Sequence, residues 1–235
     1  MATRFMWNER NIQWFSDASA YTGFHRELAQ KIAPYLRRSD TLLDAGCGLG
    51  RLDLELAMYV SEITAVDISE DALDALRRGA AHSGIQNIST RCCDASSLSE
   101  CFDVVLLSFF GQFNTPDFLR LCRRKLIRIV SAENKSSLYP ERHRRGEKDT
   151  VPIVQRELKA QGIRFQTERY SIEFGQPFRS RADAELFVLQ NAPGASREEI
   201  SDFLDQNLVP AERGGFPFYL PNQKELGIFI IDKER

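Results

Sequence analysis

The chain has 235 residues, 43% of them hydrophobic and 27% charged, with a formal net charge of −2: an ordinary globular composition, long enough for one domain with a full core and a cap. So even a charge balance exerts no global pull on nucleic acid, which would need a local basic patch. The N-terminus shows no basic segment leading into an apolar core, and no long uncharged apolar run follows, which argues against secretion and membrane insertion.

The five cysteines (Cys47, Cys92, Cys93, Cys101 and Cys122) are odd in number and lack C-x-x-C pairing, the usage of reduced thiols in a cytoplasmic protein. Residues 1–20 hold Phe5, Met6, Trp7, Trp14 and Phe15, with both tryptophans of the chain, so this segment is expected to pack on the domain or cover a pocket. From about Thr22, the residues Phe24, Leu28, Ile32 and Leu36 recur every fourth position as one face of a helix, which Pro34 would kink near its end.

The most informative stretch is Thr41–Arg51. A short buried strand runs into a turn with glycine at every second position, Gly46, Gly48 and Gly50, and then into a helix spaced by Leu52, Leu56 and Tyr59. A second apolar run ends at Asp67, seventeen positions beyond Gly50. Glycines let the backbone approach a ligand closely, and a carboxylate closing the next strand can accept both hydroxyls of a ribose, so a nucleotide-like ligand fits. The dinucleotide fingerprint G-x-G-x-x-G is not met, because the spacing is G-x-G-x-G and Arg51 stands where its third glycine belongs.

The pattern Asp44-x-Gly46-x-Gly48-x-Gly50 with Asp67 resembles the first motifs of class I S-adenosylmethionine-dependent methyltransferases. The resemblance implies S-adenosyl-L-methionine as cofactor. Asp44, Gly46, Cys47, Gly48 and Gly50 would hold its methionine end, Asp67 and Ile68 its ribose, Asp94 and Ala95 its adenine, and Ser108 would lie near the transferred methyl group. It implies no metal. Helices ahead of the first strand commonly cover the cofactor in that family, which makes Tyr21 and His25 candidates for the substrate site.

Further along, Ser69 caps a helix opened by Glu70 and Asp71. Residues 87–95 form a third strand and its exit, ending at Asp94, which is also a common turn former. Phe102–Ser108 is a fourth, near-continuously apolar strand, running into Phe109, Phe110, Gly111, Gln112 and Phe113. Ligands sit beyond the carboxyl ends of such strands; Phe109 and Phe110 are therefore candidates to wall an apolar substrate pocket. The Asn/Asp-Pro-Pro-Tyr/Phe and Pro-Cys motifs of base methylation are absent from this loop, so those reaction types lose support.

Thr115-Pro116-Asp117 reads as a helix start with Thr115 as its cap. Leu126–Val130 is a fifth strand. Arg123, Arg124 and Lys125 precede it, and Glu141-Arg142-His143-Arg144-Arg145 follow, the best local case for a polyanion partner. His143, beyond a strand's carboxyl end, is the candidate proton acceptor.

A helix from Thr150 to Gly162, a sixth strand through Tyr170, Ile172 and Phe174, and a last strand at Leu226–Ile231 complete the core. Strand and helix alternation gives an α/β, doubly wound, mostly parallel sheet; the resemblance implies seven strands, the last inserted antiparallel between the fifth and sixth. One domain is expected: an N-terminal helical cap over 1–37, a Rossmann-like core over 38–175 and 224–233, and a helical insert over 176–222. Helical patterns lie near 181–191 and 197–207, the second opened by a Ser196-x-x-Glu199 capping box. The insert reads as a substrate cap, with a homodimer contact as the rival role.

These features point to methyl transfer onto a small or medium-sized molecule. An RNA methyltransferase using residues 123–145, and a non-catalytic partner protein on the same fold, are the alternatives.

Overall fold

The computed structural model describes residues 7–111, 114–143 and 149–233. The chain begins with α1 (Glu9–Thr22) and α2 (Phe24–Ile32), separated by Gly23 at φ 72°, where one left-handed residue ends the first helix and starts the second. Pro34 is accommodated in a short 3-10 turn after Ile32, so the helix stops there rather than kinking.

Strands β1 (Thr41–Ala45), β2 (Glu62–Asp67) and β3 (Ile88–Cys92) alternate with α3 (Arg51–Leu56) and α4 (Glu70–His82). Then come β4 (Phe102–Ser108), α5 (Thr115–Leu119), β5 (Cys122–Ser131), α6 (Val151–Ala160) and β6 (Gln166–Glu173). The insert contributes β7 (Gln176–Phe178), α7 (Arg181–Asn191), α8 (Arg197–Asn207), β8 (Val209–Pro210) and β9 (Phe218–Leu220), before β10 (Gln223–Asp232) returns to the core.

The main sheet has seven strands in the order β3-β2-β1-β4-β5-β10-β6. Only β10 is antiparallel, pairing Ile228 with Ile129 of β5 on one side and with Glu168 of β6 on the other. Alternate residues of the strands feed two cores. Ile127 and Ile129 face Leu28, Ile32, Leu56 and Leu76 of α2, α3 and α4; Leu126 and Val130 face Phe118, Val154 and Leu158 of α5 and α6. Burial on both faces explains why β4 and β5 read as continuous apolar runs.

A third core joins α1 to the insert. Trp14 is buried against Phe178, Phe187, Val188 and Leu204, its ring edge-on to Phe187 at 5.2 Å and its indole N–H donating to Asp183 at 3.0 Å. The small sheet β7-β9-β8 was not foreseen from the sequence; its strands are two or three residues long, too short to show a period.

Two local readings need correction. Thr115 does not cap α5: Asn114 holds that position without a side-chain bond, and the Thr115 hydroxyl instead donates to Glu157 at 2.8 Å and accepts from Arg128 at 2.9 Å. The Ser196 capping box is half made. Ser196 accepts from the Glu199 N–H at 3.2 Å, but the Glu199 carboxylate turns away to Arg142 and His143.

Candidate active site at the carboxyl edge of the sheet

The glycine turn is held by the end of the neighbouring strand. Val66 carbonyl accepts from the N–H groups of Gly46 (2.7 Å) and Cys47 (3.0 Å), and the turn closes with Gly50 N–H on Cys47 carbonyl at 2.9 Å. Asp67 does the rest: one carboxylate oxygen accepts from Gly48 N–H and the other from Ser69 N–H, both at 2.9 Å. Each oxygen keeps a free lone-pair direction for a ligand hydroxyl. The carboxylate is thus oriented by the backbone before any ligand arrives.

All three glycines have positive φ (75°, 53° and 59°), and each lies against a side chain. A Cβ on Gly46 would fall 2.1 Å from the Phe110 ring, one on Gly48 3.1 Å from Trp7, and one on Gly50 2.4 Å from Leu76 of α4. Gly50 therefore lets α3 and α4 close on each other, the role that the dinucleotide fingerprint gives to a glycine one position later. Gly50→Ala is expected to cost at least about 1–2 kcal/mol from the left-handed backbone alone, read as a lowered midpoint in urea unfolding. At Gly46 and Gly48 the rings of Phe110 and Trp7 lie where a Cβ would stand.

Beneath the turn the chemistry is acidic. Asp44 and Asp53 are 2% and 0% exposed, and no N–H or hydroxyl donor reaches Asp44 Oδ1 or either Asp53 oxygen. Burial first, then the neighbouring Asp53 and Asp67 charges, push the Asp44 carboxyl well above the usual range; burial pushes Asp53 up to about 7. The Cys47 thiol is likewise held neutral by burial and by the same three carboxylates. Asp53 was not singled out from the sequence, where Leu52-Asp53-Leu54-Glu55-Leu56 gives no sign that one acid faces inward and the other outward.

The remaining candidates scatter around this edge. Ser108 ends β4, and Phe109 follows at φ 49°, a left-handed conformation rare for a bulky residue, with its N–H on Ile129 carbonyl at 2.9 Å. Lys224 lies 4.0 Å above the Phe109 ring. Ile68 is exposed beside Asp67. Asp94 accepts from Ser96 N–H at 2.9 Å, which lowers its pKa and caps the turn that buries Ala95. Gln112 and Phe113 lie outside the described residues.

His25 is buried among Phe15, Phe24 and Phe174 and shares a 2.7 Å hydrogen bond with the Ser19 hydroxyl. Burial, then Lys224 and Arg51, bring its pKa down to about 3, so the imidazole is neutral. Tyr21 turns instead to the insert, packing on Tyr219 at 4.8 Å and Phe216 at 6.0 Å. Trp7 and Phe15, edge-on at 5.4 Å, carry the N-terminal aromatics onto the glycine turn; Phe5 and Met6 lie outside the described residues.

His143 is engaged elsewhere. Its Nε2 lies 2.8 and 2.9 Å from the two Glu199 oxygens, and it packs under Gly194, fastening the insert to the loop after β5. The basic segments also separate: Arg123, Arg124 and Lys125 sit at the start of β5 and Arg142 beyond its end, at opposite ends of the sheet. Arg124 pairs with Asp40, Lys125 with Asp232 and Arg142 with Glu199, while Arg144 and Arg145 lie outside the described residues.

Among the described residues no group of three or more His, Cys, Asp or Glu side chains is arranged to hold a metal ion, and no helix is long and apolar enough to cross a membrane.

Residues 42–129 match the family described as methyltransferase domain. Over 97 residues the chain is 30% identical to a probable cobalt-precorrin-6B C(15)-methyltransferase (decarboxylating) of Methanococcus maripaludis; the match covers 41% of this chain and 54% of that protein, so the chain spans about half the length of the curated relative. Among solved structures, the YcgJ protein of Bacillus subtilis is similar with a TM-score of 0.57 and 16% identity, covering 89% of this chain and 99% of that one. Magnesium protoporphyrin IX methyltransferase of Synechocystis PCC 6803, solved with bound S-adenosylhomocysteine, is similar with a TM-score of 0.52 and 14% identity, covering 99% and 90%. Residues 42–129 thus match the methyltransferase-domain family over a little more than a third of the chain, and the seven-stranded sheet with its one antiparallel strand is the fold of these solved structures.

Proposed function

From a methyltransferase domain on this fold, we propose that the protein transfers a methyl group from S-adenosyl-L-methionine to a small or medium-sized molecule. One observation carries the choice of cofactor: the glycine turn is bordered by the carboxylates of Asp44, Asp53 and Asp67. A dinucleotide would bring an anionic pyrophosphate into that field, which like charges disfavour. A nucleoside carrying an ammonium and a sulfonium suits it, and the donor-less oxygens of Asp44 and Asp53 fit a cationic N–H group.

In this reading Asp67 takes the ribose hydroxyls, and Asp94 with Ala95 faces the adenine. Asp44 and the backbone of Gly46 to Gly50 hold the aminocarboxyl end, with Cys47 and Ile68 alongside. When bound, the cofactor supplies an already activated methyl group. The chain's task is then to align the acceptor near Ser108 and to exclude water, and alignment alone supplies up to about 7–11 kcal/mol in favourable cases. No strong base is required of His143. The aromatic wall of Phe15, Phe24, Phe109 and Phe174 around the neutral His25 supports an apolar or aromatic acceptor, and it lies where α1, α2 and β4 meet. Five free thiols fit a reducing cytoplasm.

Calorimetric titration with S-adenosylmethionine and S-adenosylhomocysteine tests the reading. Wild-type protein should bind both, and Asp67→Ala should bind at least roughly tenfold more weakly, since a charged hydrogen bond is worth about 1.5–3 kcal/mol. No binding by folded wild-type protein would overturn the methyltransferase reading and favour the non-catalytic alternative.

A further inference from the structure

Asp53 stands outside the motif that carries the family resemblance, yet it is the most completely buried acid among the described residues, at 0% exposure. It lies in the first turn of α3, where the helix crosses β1, and its carboxylate meets that of Asp44. No N–H or hydroxyl donor reaches either Asp53 oxygen or Asp44 Oδ1, and the two carboxyls hydrogen-bond each other. Two carboxylates in contact and away from water cannot both ionise unless a cation joins them. The charges acting on Asp44 are those of Asp53 and, from the end of β2, Asp67, both of its own sign. The other titratable group facing the pair is the Cys47 thiol in the turn, itself neutral. The arrangement is an anionic receptor waiting for hydrogen-bond donors.

We propose that Asp44 and Asp53 share one proton in the free protein and surrender it when the α-ammonium of the methionine end binds, so that cofactor binding releases a proton. This rests on the methyltransferase reading. The balance is simple. The singly protonated pair carries one negative charge; it loses one proton to solvent, becomes doubly negative, and takes up the ammonium with its three N–H donors. A sulfonium has no N–H to offer the orphaned oxygens, which assigns the pair to the ammonium rather than to the methyl-bearing sulfur. Asp53 acts here as a binding residue for the cofactor and touches no reacting atom.

Proton release ties affinity to pH. Below the titration of the free pair, binding should weaken by roughly tenfold for each unit of falling pH. The test is calorimetry with S-adenosylhomocysteine and with S-adenosylmethionine at pH 6.5, where the free α-ammonium, titrating at about 7.7–8.0, is fully protonated. Repeating each titration in phosphate and in Tris, whose ionisation enthalpies differ, counts the protons. At least about one proton should leave with either ligand, and Asp53→Asn should release fewer protons than the wild type.

Binding without proton release by the wild type overturns the inference while leaving the methyltransferase reading intact; release with S-adenosylmethionine alone overturns the assignment to the ammonium. Failure of the folded wild type to bind either ligand overturns the methyltransferase reading and this inference with it. The wild-type titrations decide the matter even where the variant does not fold.

Discussion

Arg128→Ala should lower the unfolding free energy by about 3–5 kcal/mol, the cost of leaving buried acids without their cation. Arg128 occupies the middle of β5, 1% exposed, on the face that packs against α5 and α6. Its guanidinium donates to Asp149 at 2.6 Å, Glu157 at 3.0 Å and the Thr115 hydroxyl at 2.9 Å, and Thr115 donates onward to Glu157. One side chain thereby joins the start of α5, the loop two residues ahead of α6 and the body of α6. Truncation strands two carboxylates that are themselves largely buried. The loss should appear as a lower midpoint in urea. Replacing Arg128, Asp149 and Glu157 together by apolar residues of similar size should recover much of it, because a buried ionic cluster is costly to break and far less costly to replace. A single-variant loss below about 1 kcal/mol, the range of an exposed ion pair, would show that the cluster is solvated.

Asp53→Asn should have the opposite sign at neutral pH: it should stabilise the free protein. The Asp53 carboxyl titrates at about 7 in the fold, against about 3.9 in the unfolded chain. A carboxyl raised in this way binds more protons folded than unfolded. Stability therefore falls as pH rises from about 4 through about 7 and levels off above. Three pH units correspond to about 4 kcal/mol, a ceiling for a pair that shares its cost. Asparagine keeps the shape, cannot ionise, and offers its amide N–H to Asp44, which is relieved of a like charge. The variant should melt roughly 5–10 °C above wild type at pH 8 and gain little at pH 4, where the wild-type carboxyl is protonated in the fold and already about half protonated in the unfolded chain. Parallel melting curves for the two proteins between pH 4 and 8 would show that Asp53 reaches solvent.

The two predictions concern residues that the sequence hides, for a common reason. Glycine spacing, Asp67 and the apolar runs of β4 and β5 are short-range patterns, readable because backbone conformation and two-sided burial act on neighbours. The mostly parallel sheet followed from them, and the antiparallel insertion of its last strand from the family resemblance. Burial of a polar side chain depends on partners far along the chain. Arg128 interrupts an apolar strand and needs Asp149 and Glu157 to explain it; Asp53 sits between leucines on a helix that otherwise reads as amphipathic. His143 looked like a group beyond a strand's carboxyl end, but its place is decided by Glu199, fifty-six residues away. Tyr21 and His25, four positions apart on neighbouring helices, proved to face different surroundings because Gly23 breaks the register between them.

The pairing of Glu173 with Gln223 has an evolutionary and practical meaning. These residues close β6 and open β10 directly opposite each other, so everything between them leaves and re-enters the sheet at a single point. In the bare fold a tight hairpin turn would serve there. Replacing the segment between them leaves the strand order and the hydrogen bonds of the glycine turn in place, while Phe174, packed on Phe15, Phe24 and His25, stays with the core. But Trp14 ties α1 to that segment through Phe187 and Asp183, which makes the two one heritable unit despite their distance in the chain. A graft meant to change acceptor preference has to carry α1 along with the insert, and a homologue that lost one should have lost or rebuilt the other.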